Sequence, residues 1–204
     1  MKLETLLIRA GADVDPATAA IAPPIHLSTT FEHGPAGESP LGFTYIRENN
    51  PTQARLEEAL AAVEGGEAAL VFASGLAAGA AYLQNLPQNS HVIFHKDTYH
   101  GFREIADEVF PKWCIESTVV DMKNLDEVQD AVRPNTRVIW METPSNPLME
   151  VLDIAALAKI AHDAGAVLVV DGTFATPVLQ RPLELGADVV LHASTKYFGG
   201  HSDV

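Results

Sequence analysis

The chain has one cysteine, Cys114, among 204 residues. No disulfide can close within it, and a reducing compartment is the expectation. Basic side chains are scarce: 13 Lys and Arg stand against 27 Asp and Glu, for a formal net charge of −14. So acidic a chain is a poor partner for a nucleic-acid backbone or an anionic membrane surface, and neither is expected. Long uncharged apolar runs are missing. The opening Met1-Lys-Leu-Glu-Thr-Leu-Leu-Ile-Arg9 holds an apolar stretch too short for the core of a secretion signal, which predicts a cytoplasmic address. The glycines of Gly65-Gly-Glu-Ala-Ala69 lack the spacing of a dinucleotide fingerprint, so a nicotinamide cofactor is not expected. His91 and His95 bracket Val-Ile-Phe, which reads as strand, and no cysteine or acid cluster completes a ligand set around them. No metal is predicted.

What the chain does have is a core. Hydrophobic residues make up 47% and charged residues 20%, a soluble globular balance, and the length is enough for one large domain with or without an arm. The first fifty residues differ from the rest. Between 11 and 50 lie five prolines (16, 23, 24, 35 and 40), many glycines and no sustained period. That composition predicts an N-terminal arm over 1–50, extended and wrapping a partner subunit. The apolar content of Ile21-Ala-Pro-Pro-Ile-His-Leu27 argues against a disordered tail.

From Pro51 the pattern becomes regular, and 51–204 reads as one cofactor-binding domain. Apolar residues at 56, 59, 60 and 63 predict a helix ended by Gly65-Gly66. Strands are predicted at 68–72, 91–95, 114–120, 136–141, 166–170 and 188–192. Helices are predicted at 75–86, 101–109, 124–132 and 153–164, the last capped by Asp153. Alternation of this kind predicts an α/β fold with a mostly parallel, doubly wound sheet.

In such sheets ligands gather beyond the carboxyl ends of the strands. Five predicted strand ends carry polar groups there. Ser74, Gly75 and Leu76 open a helix whose N-terminal amides could hold a phosphate, although Ser-Gly before a helix is equally a plain turn. Tyr99 could stack on an aromatic ring and move a proton. Asn146, between Pro144 and Pro147, could donate to a phenolate oxygen. Asp171 could hold a pyridine nitrogen protonated; its alternative reading is a turn or cap acid. Lys196 follows the apolar and small run Val-Val-Leu-His-Ala-Ser-Thr, 25 positions after Asp171. A lysine and an acid at the ends of two buried strands suggest pyridoxal 5'-phosphate (PLP), held by Lys196 as a Schiff base, against the common fate of a lysine at the surface.

These segments resemble the Cys/Met-metabolism (transsulfuration) family of PLP enzymes. The matching pieces are Pro23-Pro-Ile-His-Leu-Ser-Thr-Thr-Phe31, Tyr45-Ile-Arg47-Glu-Asn-Asn-Pro-Thr52, Leu60-Ala-Ala-Val-Glu-Gly-Gly-Glu-Ala-Ala69, Phe72-Ala-Ser-Gly-Leu-Ala-Ala78, Glu142-Thr-Pro-Ser-Asn-Pro147, Val170-Asp-Gly-Thr-Phe-Ala-Thr-Pro177 and Ser194-Thr-Lys-Tyr-Phe-Gly-Gly-His-Ser-Asp203. They keep the family order over nearly the whole chain. The resemblance implies a fold-type I large domain and a homo-oligomer, a dimer of dimers, in which Tyr45 and Arg47 reach the phosphate of a partner's cofactor. It also implies Gly75 and Leu76 amides on the phosphate with Thr195, Tyr99 over the ring, Asn146 on its phenolic oxygen, Asp171 on its nitrogen, Thr173 beside it, and Lys196 as the covalent attachment.

The implied activity is γ-elimination or γ-replacement on amino-acid substrates of the cystathionine or O-acyl-homoserine kind, with a β-lyase or sulfhydrylase as the alternative. A fold-type I aminotransferase is a further alternative. Three positions depart from the family pattern: Ala193 where serine is usual three places before the lysine, Gly172 where asparagine is usual after the acid, and no cysteine in Tyr99-His-Gly-Phe102. The chain also ends 8 residues after Lys196, at about half the family length. It is therefore expected to lack the C-terminal domain that supplies an arginine for the substrate carboxylate, which keeps open a non-catalytic PLP-fold subunit.

Overall fold

The computed structural model describes residues 1–204, which form two compact units, Met1–Val71 and Phe72–Val204. In the first unit, α1 (Leu3–Arg9) places Glu4 in its first turn and Arg9 in its last, each at the favourable end of the helix dipole. This short helix precedes the proline-rich stretch 11–50 on which the expectation of an extended arm rests. Its register Leu3, Leu6 and Leu7 is amphipathic, but too short to stand out beside the proline-rich run that follows. α2 (Pro51–Glu64) begins with the Asn50 side chain accepting the Thr52 N–H at 2.8 Å and Pro51 in the first turn; it ends at Gly65, whose φ is 74°. Gly11, with φ 69°, approaches α2 so closely that a Cβ there would lie 2.7 Å from the Arg55 carbonyl oxygen.

No strand forms over 68–72, which overturns that expectation. The Val71 N–H donates to the Glu57 carboxylate at 3.0 Å, so this backbone group enters no ladder, and Leu70 and Phe72 stay exposed. The apolar content of the run is real, but a strand needs a neighbour, and none pairs with it.

The second unit is a five-stranded, all-parallel sheet in the order β2-β1-β3-β4-β5. Its strands are β1 (His91–His95), β2 (Glu116–Val120), β3 (Thr136–Glu142), β4 (Val167–Asp171) and β5 (Val189–Leu191). Central strands alternate between two buried faces. Ile93, Ile139, Met141, Leu168 and Val170 pack with α6 (Leu125–Ala131) and α7 (Ile154–Asp163). Val92, Phe94, Val138, Trp140 and Val169 pack with α3 (Gly75–Gln84), α4 (His100–Glu104) and α5 (Phe110–Trp113). Both faces are covered, as a doubly wound parallel sheet requires. Trp140, Phe94, Phe102 and Phe110 are fully buried on one of them, each contributing on the order of 2–3 kcal/mol by area removed from water.

The helix expected at 101–109 starts at His100, widens into a π-helical turn at Ile105–Val109 and continues to Trp113. Pro111 has no N–H to return to the preceding turn, and the Phe110 N–H instead reaches back to the Ile105 carbonyl. Cys114 then turns to φ 56° and ends the helix, so β2 begins at Glu116 rather than at 114. α8 (Thr176–Leu179) and a short 3₁₀ turn (Pro182–Leu185) lead into β5.

Candidate active site

From β1 the chain builds outward to β2, then returns to lay β3 on the other side of β1. Strand order reverses between β1 and β3, and a crevice opens at such a switch point beyond the carboxyl ends. Two residues meet across it: the Tyr99 N–H donates to the Glu142 carboxylate at 2.6 Å. Tyr99 is half-buried, with its ring 6.0 Å from Phe102 at an edge-on angle of 75°. A Cβ on Gly101 would meet Tyr99 Cε1 at 2.8 Å and Leu76 Cδ1 at 3.2 Å, so Leu76 of α3 adjoins this ring.

α3 opens on Ser74, whose hydroxyl accepts the Ala77 N–H at 3.0 Å. The amides of Gly75 and Leu76 are among the N-terminal N–H groups that a helix leaves unpaired. Beside them runs the segment after β5: a Cβ on Gly75 would lie 2.9 Å from the Ala193 Cβ. The approach of the two segments is therefore possible only because position 75 carries no side chain.

Asp171 ends β4 and is 6% exposed. One carboxylate oxygen accepts the Thr173 N–H at 3.0 Å. Burial pushes its acidity toward higher pH, opposed by the Thr173 bonds and by nearby His192. No lysine or arginine is paired with it. Thr173 also accepts the Ala193 N–H on its hydroxyl at 2.9 Å, and the Gly172 N–H donates to the Leu191 carbonyl at 2.9 Å. Through these bonds the loop after Asp171 is stitched to the loop bearing Lys196. The Phe174 ring packs on Tyr197 at 5.8 Å, and an open hollow of about 310 Å³ is lined by Phe174, Thr195, Lys196, Tyr197, Gly200 and Ser202. Lys196 and Thr195 are exposed in this turn.

Asn146 is exposed on the loop after β3, between the cis peptide bonds Thr143–Pro144 and Asn146–Pro147. The loop is pinned at several points. The Ser145 hydroxyl bonds the Asp97 carboxylate and accepts the Glu150 N–H at 3.0 Å, while the Thr143 hydroxyl accepts the Leu152 N–H at 3.0 Å. Tyr45 and Arg47 belong to the first unit, where the guanidinium carbon sits 4.7 Å from the Tyr45 ring centroid and Thr30 bridges Tyr45.

The contacts thus run in a circuit: Gly75 to Ala193, Ala193 to Thr173 and Asp171, Asp171 beside Glu142 in the strand register, Glu142 to Tyr99, and the Tyr99 turn back to Leu76. Ser74 enters this circuit from a helix start with no strand before it, so four strand ends, not five, supply the site. In the sequence Glu142 carries no distinguishing pattern of its own, and reasoning from the sequence misses it. Its signal was its place as the last residue of a buried strand. Burial, with Asp171 next and a smaller push from Asp97, raises its pKa to about 8 against the N–H bonds of Tyr99 and Asn146.

The donor set suits PLP. A buried carboxylate with no lysine or arginine partner matches a protonated ring nitrogen, a helix N-terminus with unpaired amides matches a phosphate, and an accessible primary amine matches an aldehyde.

A family described as Cys/Met metabolism PLP-dependent enzyme matches residues 4–204. A cystathionine gamma-synthase of Mycobacterium tuberculosis is 49% identical over 201 residues, covering 98% of this chain and 52% of that protein. A cystathionine gamma-lyase of Bacillus subtilis is 44% identical over 204 residues, covering 100% and 54%. The crystal structure of cystathionine gamma-lyase from Lactobacillus plantarum complexed with L-serine superposes with a TM-score of 0.95 at 40% identity, covering 100% of this chain and 53% of that one. The chain spans about half the length of the curated relatives it matches.

Proposed function

The chain belongs to the Cys/Met metabolism PLP-dependent enzyme family, and from that premise we propose that it forms the cofactor-binding part of an enzyme of sulfur amino-acid metabolism. The reaction is γ-elimination or γ-replacement on an amino acid of the cystathionine or O-acyl-homoserine class. The observation that carries this reading is the stitching of the Asp171 loop to the Lys196 loop through the Thr173 hydroxyl.

The cofactor-holding residues are Ser74, Gly75, Leu76 and Thr195 toward the phosphate, Tyr99 against the ring, Asn146 toward the phenolic oxygen, and Asp171, with Thr173 beside it, on the ring nitrogen. When bound, PLP supplies an electron sink that stabilises negative charge at the substrate Cα. Lys196 Nζ would hold the cofactor, and its free amine would take and return protons at the substrate Cα and Cβ. Tyr99, against the ring, would assist the exchange of amines and the departure of the leaving group through its phenolic oxygen. Asp171 keeps the proton on the ring nitrogen. Tyr45 and Arg47 serve the phosphate of a partner subunit, the Arg47 fork matching a dianion in a homo-oligomer built as a dimer of dimers. The cytoplasm is the proposed address; no helix is long and apolar enough to cross a membrane.

Borohydride treatment of the PLP-loaded protein should fix the cofactor on Lys196, read as a mass increment on the peptide holding that residue. Lys196→Ala should abolish both the increment and turnover; turnover that survives rejects the assignment. The departures from the family pattern at Ala193 and Gly172 motivate a second reading, a PLP-fold subunit without catalysis of its own. A visible cofactor absorbance that fails to move on adding cystathionine or an acyl-homoserine would select it.

A further inference from the structure

Two acids close neighbouring strands: Glu142 ends β3, Asp171 ends β4, and the two are register partners. They are 3% and 6% exposed, and neither is paired with a lysine or arginine. Two adjacent carboxylates removed from water cannot both stay charged, so the pair retains a proton. The surroundings decide where.

Facing Glu142 from the β1–α4 connection is the Asp97 carboxylate, itself bonded to the Ser145 hydroxyl, and a second anion there opposes ionisation. Burial raises Asp171 as well, but His192, facing it from beyond β5, favours its charged form, and Thr173 adds donors from amide and hydroxyl. Glu142 receives backbone N–H groups of Tyr99 and Asn146, the two residues flanking the crevice. Burial and Asp171 together outweigh those donors, pushing Glu142 to about 8.

We propose that Glu142 is the proton-holding member of a two-carboxyl pair, a positioning residue that leaves Asp171 the single anion offered to the cofactor nitrogen and ties Tyr99 to the end of β3. The inference rests on the PLP site proposed above.

Infrared difference spectra of the cofactor-free wild type at pH 7 should contain the carbonyl band of one protonated carboxylic acid. That band should move on carboxyl-¹³C labelling of glutamate and not of aspartate, and fade as pH rises through about 8. Glu142→Gln should remove it. Asp171→Asn should shift its loss to lower pH, because the neighbouring charge is gone. At pH 7 Glu142→Gln, which copies the neutral acid, should bind PLP within about threefold of wild type, whereas Asp171→Asn should lose about tenfold or more. No band, a band that follows aspartate labelling, or an affinity loss in Glu142→Gln equal to that of Asp171→Asn overturns the proposal. A wild type that fails to bind PLP would sink the proposed function while the infrared result still decides this one.

Discussion

Gly75 and Ala193 nearly touch: a Cβ built on Gly75 would stand 2.9 Å from the Ala193 Cβ and 3.1 Å from its Cα. The start of α3 and the approach to Lys196 are therefore packed so closely that position 75 has no room for a methyl group.

Gly75→Ala tests that approach. The obstructing atoms belong to a short side chain and main chain tied to Thr173, so they cannot swing aside. Overpacking should cost about 1–3 kcal/mol, partly offset by the better helix propensity of alanine, worth up to about 1 kcal/mol. Urea unfolding of the cofactor-free protein should show a net loss, and PLP affinity should fall by about tenfold. A variant of unchanged stability and affinity would mean that the 193 segment yields freely.

Ala193→Ser adds a hydroxyl facing the same helix N-terminus. A hydrogen bond to a charged acceptor is worth about 1.5–3 kcal/mol when well aligned. Titration with PLP should therefore find tighter binding by about tenfold. The cofactor-free protein should keep its stability within about 0.5 kcal/mol, since nothing in the core changes. Unaltered affinity would remove the phosphate from the neighbourhood of residue 193.

His91 predicts an acid-side loss of stability. It is fully buried on β1, its two ring nitrogens each 2.8 Å from a threonine hydroxyl, Thr136 and Thr118. Desolvation, helped by Arg133, lowers its pKa from 6.5 to about 4. Between those values the unfolded chain binds a proton that the folded one refuses, so the contribution is complete above 6.5 and drains away as pH falls toward 4. The total is on the order of 3 kcal/mol. His95, also lowered mainly by burial, acts in the same direction. Urea midpoints measured from pH 4 to 7 should rise with pH, and His91→Gln should flatten part of the slope. A slope equal to wild type in that variant would show that His91 is not its source.

Much of the fold was legible in the sequence because its signals are local. Val92 to Phe94 and Val138 to Met141 are runs that only a strand buried on both faces accommodates, while Asp153, Asn124 and Gly65 mark helix ends through bonds made within a few residues. Where readings failed, the deciding partner was distant. Residues 68–72 carry strand-like composition, yet the Val71 N–H is taken by Glu57, 14 positions away. Leu3–Arg9 is a helix whose short apolar register was hidden by the prolines after it.

Sequence alone determined the α/β alternation, the placement of Tyr99, Asn146 and Asp171 at or just after strand ends, and Lys196 beyond the last strand. Those follow from periods and residue types that act over a few positions. Only the tertiary structure decided the strand order, the switch between β1 and β3, and the pairing of Glu142 with Asp171. Register between strands is set by packing across the whole sheet. Two carboxyls 29 positions apart in the chain (171 − 142) become neighbours that must share a proton only when β3 and β4 lie side by side away from water.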